Sequence, residues 1–279
     1  MGGRSVRPRG GWPNDSAAGD PPFDDRPEPV PLALRKSHVI AVPRTDPPGC
    51  NGGPQRGDLI VTLHTALKAE LRDQLGPAAR RHGYRGSAPT WRKTNAQGDW
   101  VVVNVQSSSW NTSERIRCTI NIAAVPEPWL RWMRHQLDAR PVKSVSESHG
   151  LYRDRLHPTG APDGADLWWE AVDASSIEAM VADMTARLED VGWNLLDLLL
   201  TREGIRRRLE DGNHGLFKRA SVPALFKRAE ALLLMDDGPS NELDACLAYA
   251  LEGAMPGQRE NSEAFDSWVR TQAEAALAR

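Results

Sequence analysis

Two runs between Trp100 and Ala123 constrain this chain more than any other feature: Trp-Val-Val-Val-Asn-Val-Gln-Ser and Arg-Cys-Thr-Ile-Asn-Ile-Ala, separated by a polar segment. Both alternate with a period of two, which turns successive side chains to opposite faces and identifies two strands, each with one apolar face. The polar connection Ser108–Glu114 makes them an antiparallel hairpin. Val101, Val103 and Val105 must share a face with Ile116, Cys118, Ile120 and Ile122, because a slip of one residue would turn one set to solvent. A centred loop then opposes Val105 to Ile120 and Val103 to Ile122. On the other face it opposes Asn104 to Asn121 and Gln106 to Thr119.

That uncharged cluster has two readings. Amides and hydroxyls donate and accept without carrying charge, so they suit recognition of a peptide backbone or another polar ligand. The same residues also suit a hydrogen-bonded cross-strand ladder, beneath a helix or at the solvent boundary. Arg92, Arg153 and Arg155 are expected beside the cluster, and Glu170 is a lone acid near it, read as a rim carboxylate paired with Arg153 or Arg155.

The rest of the chain orders around this hairpin. Residues 1–57 are rich in Pro, Gly, Arg and Asp and lack sustained apolar periodicity, so they are expected to be disordered. Asp58 is a candidate helix cap, with Ile60, Leu63, Leu67 and Leu71 at helical spacing behind it. Gly76-Pro77 is expected to break that helix and Gly83 to cap the short helix that follows. With the hairpin strands at 99–107 and 115–125, further strands are expected over 88–94, 151–156 and 167–172, and the turn Asn95-Ala96-Gln97-Gly98 joins 88–94 to the hairpin. Helices are expected from Pro128 to Leu137, from a cap at Ser175 or Ser176 through Leu188, and, after an interruption at Gly192, over 193–209. Beyond Gly212 the pattern is wholly helical. The reading is an α+β fold with an antiparallel sheet of about four strands packed by helices, followed by an all-helical C-terminal region. The expected divisions are 1–57, 58–211 and 212–279.

Composition excludes several functions. The formal net charge of -2 supplies no global basic field for nucleic acid. The local basic run Arg202–Arg208 has acidic neighbours and reads as a solvated helix face. Cys50, Cys118 and Cys246 form no CxxC pair, which argues against a disulfide framework or a thiolate zinc site; Cys118 falls on the apolar strand face as a small buried hydrophobe. No HxxxH, P-loop, GxSxG or strand-linked GxGxxG motif occurs. No run is long enough for a membrane span and no secretory h-region opens the chain, so the expectation is a cytoplasmic protein without cofactor or metal.

A set of motifs occurs in order along the chain: Gly83-Tyr84-Arg85 after an apolar helix, Trp91-Arg92, Val103–Ser107, Thr119–Ile122, Arg153-Asp154-Arg155, Trp168-Trp169 and Gly192-Trp193. In this order they resemble a bacterial family, domain of unknown function 4304, over about residues 59–200. Ala123 departs from the Gly common at that place, and the tail beyond Gly212 stands outside the resemblance. The resemblance implies an α+β fold and carries over no activity and no catalytic residues.

The expected function is a non-enzymatic binding or adaptor module of the bacterial cytosol. Another protein is its expected partner, and its candidate face is Asn104, Gln106, Thr119, Asn121, Arg92, Arg153, Arg155 and Glu170. The alternative is an enzyme acting on a polar small molecule with Glu170 and the nearby arginines. A weaker alternative is a nucleic-acid binder using the Arg131–Arg140 and Arg202–Arg208 faces. Oligomeric state is left open.

Overall fold

A computed structural model describes residues 62–136, 144–213, 215, 223–254 and 256–278. The expected disorder of 1–57 and the expected cap at Asp58 lie outside those residues. Thr62 instead caps the first helix, α1 (Leu63–Glu70), its side chain accepting the N–H of Thr65. Leu67 on α1 and Leu71 and Leu75 beyond it are buried.

Gly76-Pro77 does not break the helix as expected. A π-helical turn over Leu71–Leu75 carries the chain without interruption into α2 (Gly76–Arg81), with the Gly76 N–H donating to the Leu71 carbonyl. Proline is tolerated there because it occupies the first turn of α2, where its missing N–H costs little. Gly83, at φ 83°, ends α2: its N–H donates to the Arg80 carbonyl and that of Tyr84 to the Ala79 carbonyl, so two orphan carbonyls are satisfied.

The sheet has six strands rather than about four: β1 (Arg85–Ser87), β2 (Thr90–Thr94), β3 (Trp100–Ser107), β4 (Ile116–Val125), β5 (Tyr152–Leu156) and β6 (Trp169–Ala171). Their order is β1-β2-β3-β4-β5, with β6 also pairing β4, and every pairing is antiparallel. The register of β3 and β4 sets Val105 opposite Ile120, Val103 opposite Ile122, Asn104 opposite Asn121 and Gln106 opposite Thr119, as parity requires. β1 carries no apolar residue and is exposed throughout, so it has no sequence signal.

One sheet face forms the main core. Trp91, Val101, Val103, Val105, Ile116, Ile120 and Ile122 pack there against α1 and the helical run that begins with α4 (Ala174–Arg187). Asp173 caps α4, in place of the expected Ser175 or Ser176, and its carboxylate accepts the N–H of Ser176. Gly192 does not interrupt the run; a second π turn, Leu188–Gly192, leads directly into α5 (Trp193–Leu199). The break comes later, at Thr201, which caps α6 (Arg202–Glu210) through the Gly204 N–H.

The second sheet face is covered at one end only. α3 (Glu127–Gln136) lays Leu130 over Val102, Ala123 and Val125, with Val145 completing the cluster. These apolar residues break the amide pattern and need that cover; beyond them Gln106 is exposed and Asn104 half-buried, while Asn121 and Thr119 are buried. A separate cluster joins Trp132 of α3 to α7 (Pro223–Leu234), α8 (Asn241–Glu252) and α9 (Arg259–Ala276) through Leu232, Leu247, Phe265 and Val269.

Candidate functional site

The two-residue period of the strands puts all eight candidate side chains on the second sheet face. Across β2, β3, β4 and β5, one row reads Thr90, Asn104, Asn121, Arg155. Toward the α3-covered end the adjacent row is Arg92, Val102, Ala123, Arg153, and toward the open end lie Gln106 and Thr119. Glu170 of β6 opposes Arg117 of β4 on the same face.

The carboxamides form a connected network. Asn121 donates its Nδ2 to Gln106 Oε1 at 2.7 Å and accepts from Arg155 Nε at 3.2 Å. Arg155 donates onward to Asp166 at 2.7 Å and lies 5.5 Å from the centre of the Trp168 ring, within cation–π range. Asn104 Nδ2 donates to Thr90 Oγ1 at 2.8 Å. Asn121 and Thr119 are buried, Asn104 is half-buried and Gln106 is exposed. Thr119 Oγ1 is buried without a hydrogen-bond partner among the described residues. The tryptophan pair divides as the strand period demands: Trp168 meets Arg155 on the polar face, while Trp169 enters the main core.

Glu170 does not pair with Arg153 or Arg155. Its carboxylate stands 3.6 Å from both Arg115 and Arg117, because β6 docks against the beginning of β4 and not against β5. It is exposed and shared by two cations, an arrangement that suits a rim ion pair better than a proton donor. Arg92 is drawn to the covered end, where Nε donates to the Val145 carbonyl. The Arg153 side chain makes no hydrogen bond or ion pair with a described residue.

Sequence reasoning missed Thr90, Arg115 and Arg117 as neighbours of the cluster. Strand parity places Arg117 on the face of Thr119 and Asn121, and that signal was available. The pairing of β6 with β4 is non-local and left no trace in spacing.

Groups with shifted acidity lie away from this face. Burial pushes the Cys118 thiol up, against the opposing effect of Ser107, which fits a packed side chain. Burial also works to raise the Asp183 carboxyl, but hydrogen bonds from Thr159 and Trp169 outweigh it and hold the group below its usual range. Asp183 accepts the Trp169 indole N–H at 2.7 Å, fixing that ring in the core.

Several arginines of the basic faces are paired with acids. Arg206 meets Glu203, Glu210 and Glu242, Arg207 meets Glu203, and Arg202 meets Asp99 and Asp236. Arg131 pairs with Glu127 and Asp236. Among the described residues no helix is long and apolar enough to cross a membrane, and no group of three or more His, Cys, Asp or Glu could hold a metal ion.

Fold and site together define an α+β protein whose antiparallel sheet is packed on one face and carries a partly buried carboxamide and arginine network on the other. Residues 75–198 match the family model described as Domain of unknown function (DUF4304), the family whose motifs the sequence carries in order. No curated protein and no solved structure matches the chain.

Proposed function

We propose that this chain is a non-enzymatic binding module of the bacterial cytosol that engages another protein through the exposed edge of its polar sheet face around Gln106 and Asn104. The observation that carries the reading is the Gln106–Asn121–Arg155–Asp166 chain of hydrogen bonds, which holds amides and a guanidinium in fixed positions at a solvent boundary. Donors already ordered by a sheet lose little side-chain entropy on binding. Gln106 keeps its amide nitrogen, and Asn104 its amide oxygen, without a partner among the described residues, so both retain capacity for a ligand's main-chain groups. Arg155, stacked on Trp168, supplies the kind of rigid, amphipathic anchor at which interface energy concentrates.

The test is an affinity capture from native lysate with wild type and an Asn104→Ala/Gln106→Ala double variant, both first shown to fold by circular dichroism. The dissociation constant of the captured partner is then measured with purified components. A loss of about tenfold or more in the variant supports the reading, taking roughly 1 kcal/mol per lost hydrogen bond. Equal affinity for both forms removes the polar face from the interaction.

A further inference from the structure

Strand β5 puts two guanidiniums on the polar face, and neither has a full set of partners. Arg153 and Arg155 lie two residues apart on that strand, so their stems leave the same face about 7 Å from each other. Arg153 is placed by packing: a Cβ on Gly150 would stand 2.6 Å from its Cγ and 2.9 Å from the Ala123 Cβ, so its stem runs over Gly150 beside Ala123. Its guanidinium has no acid within ion-pair distance among the described residues. Glu170, the nearest acid in the strands of that face, stands with Arg115 and Arg117 instead.

Arg155 is held more firmly. Its Nε donates to Asn121 Oδ1 at 3.2 Å, and its guanidinium lies 5.5 Å from the centre of the Trp168 ring. Nη1 donates to Asp166 Oδ2 at 2.7 Å, while Nη2 has no partner among the described residues. Asp166 thus takes one donor of a fork that can serve both oxygens of a carboxylate. The Asp166 side chain is 58% exposed, and its carboxylate has no other partner among the described residues. An exposed ion pair of this kind is weak, and turning one side chain releases it. The loop that carries it is pinned independently, by His157 Nδ1 donating to the Leu167 carbonyl at 3.0 Å and by the Thr159 N–H donating to Asp183 at 3.1 Å.

We infer that Arg153 and Arg155 form a carboxylate-binding subsite of the polar face, in which Asp166 is an internal stand-in that an acidic side chain of the partner displaces. The subsite presupposes the binding reading above and gives its partner a chemistry: an extended segment with acidic side chains at alternate positions. Such side chains leave an extended chain about 7 Å apart, the same spacing as the two arginine stems. Asn121 and Trp168 hold Arg155 in place before a ligand arrives. A carboxylate that engages Nη1 and Nη2 together therefore gains a bond that Asp166 does not make, at little cost in side-chain entropy. The site already accepts a carboxylate in the free chain, whereas a phosphate polymer needs a wider basic field than a chain of net charge -2 supplies.

An NMR titration of the full isotope-labelled chain tests this, with a blocked hexapeptide alternating glutamate and threonine as the probe and the Trp168 indole N–H as the local reporter. The reporter is expected to shift saturably with that peptide and not with its glutamine–threonine counterpart. Asp166→Asn should tighten binding about fivefold, because it removes the competing charge. Asp163→Asn makes the same change of charge on the same loop but leaves the Arg155–Asp166 contact intact, so its affinity should stay within about twofold of wild type. Arg155→Gln should weaken binding about tenfold or more and Arg153→Gln about fivefold. Asp166 is exposed and makes no packed contact, so the deciding variant folds even if Arg155→Gln does not. A wild type indifferent to the glutamate peptide, an Asp166→Asn variant no tighter than Asp163→Asn, or a thymidine hexanucleotide bound more tightly than the peptide overturns the inference. Any of these, with the Asn104→Ala/Gln106→Ala variant still losing its captured partner, removes the subsite and leaves the binding reading standing.

Discussion

Asn121 is the residue on which the order of the open face depends. It is 3% exposed, yet its amide satisfies both Gln106 and Arg155. Truncating it opens a gap at a buried position and removes the partner of both Gln106 Oε1 and Arg155 Nε. Asn121→Ala should lower unfolding stability by about 1–3 kcal/mol in a urea titration, while Gln106→Ala, at an exposed position, should cost under about 1 kcal/mol. Parity alone made Asn104, Gln106, Thr119 and Asn121 readable as one cluster, but their bonds were not. Opposed Asn104 and Asn121 do not bond each other; Asn104 turns to Thr90 and Asn121 to Gln106. Side-chain torsions and the neighbouring strand decide such choices, and neither is encoded in the spacing. Glu170 shows the same gap at longer range, because its arginine partners depend on where β6 docks.

At the scale of elements, local rules located the strands of the hairpin and failed where two helical segments run on through π turns. Gly76-Pro77 and Gly192 look like breaks in sequence, yet in both places a widened turn absorbs the residue and the axis continues. The helix that did end early, at Thr201, ends for a packing reason as well as a capping one. A side chain at Gly204 would place its Cβ 2.0 Å from the Leu198 carbonyl oxygen, so α6 can turn back against α5 only with glycine there. Gly204→Ala should therefore destabilise by about 2 kcal/mol or more, through backbone displacement. Thr201→Ala, which removes only the capping oxygen, should cost about 1 kcal/mol. Thermal unfolding of both variants ranks them; the reverse order would show that the cap, not the close approach, sets the bend.

At the scale of the whole molecule, an ion cluster ties the helical tail to the sheet. Asp236, just after α7, accepts from Arg131 of α3 and from Arg202 of α6 at 2.6 Å, and Arg202 also stands 3.5 Å from Asp99 at the β2–β3 turn. Asp99 is buried and accepts the Glu127 N–H at 2.8 Å, so the same carboxylate steadies the start of α3. Burial works to raise the pKa of the Asp236 carboxyl, but hydrogen bonds from Arg131 and Arg202 outweigh it and hold that pKa below the usual carboxylate range. A carboxylate held low in the folded state stabilises the fold above its unfolded pKa and loses that contribution as pH falls through the folded one. Asp236→Asn should thus cost about 2 kcal/mol at neutral pH. The gap from wild type should close on acidification below pH of about 4. Denaturant melts of both forms between neutral and acid pH read this directly, and a gap independent of pH would remove the charge from the explanation.

The chain's own pattern determined what periodicity can carry: the α+β class, the β3–β4 register, the core face and the set of polar residues opposite it. A two-residue or 3.6-residue repeat acts through neighbours along the chain, so burial of its apolar face already selects one answer. Only the tertiary structure decided that α3 covers one end of the polar face, that β6 gives Glu170 to Arg115 and Arg117, and that Asp236 joins the tail to the sheet. Those contacts join residues far apart in sequence, and their energy comes from docking that no local repeat records.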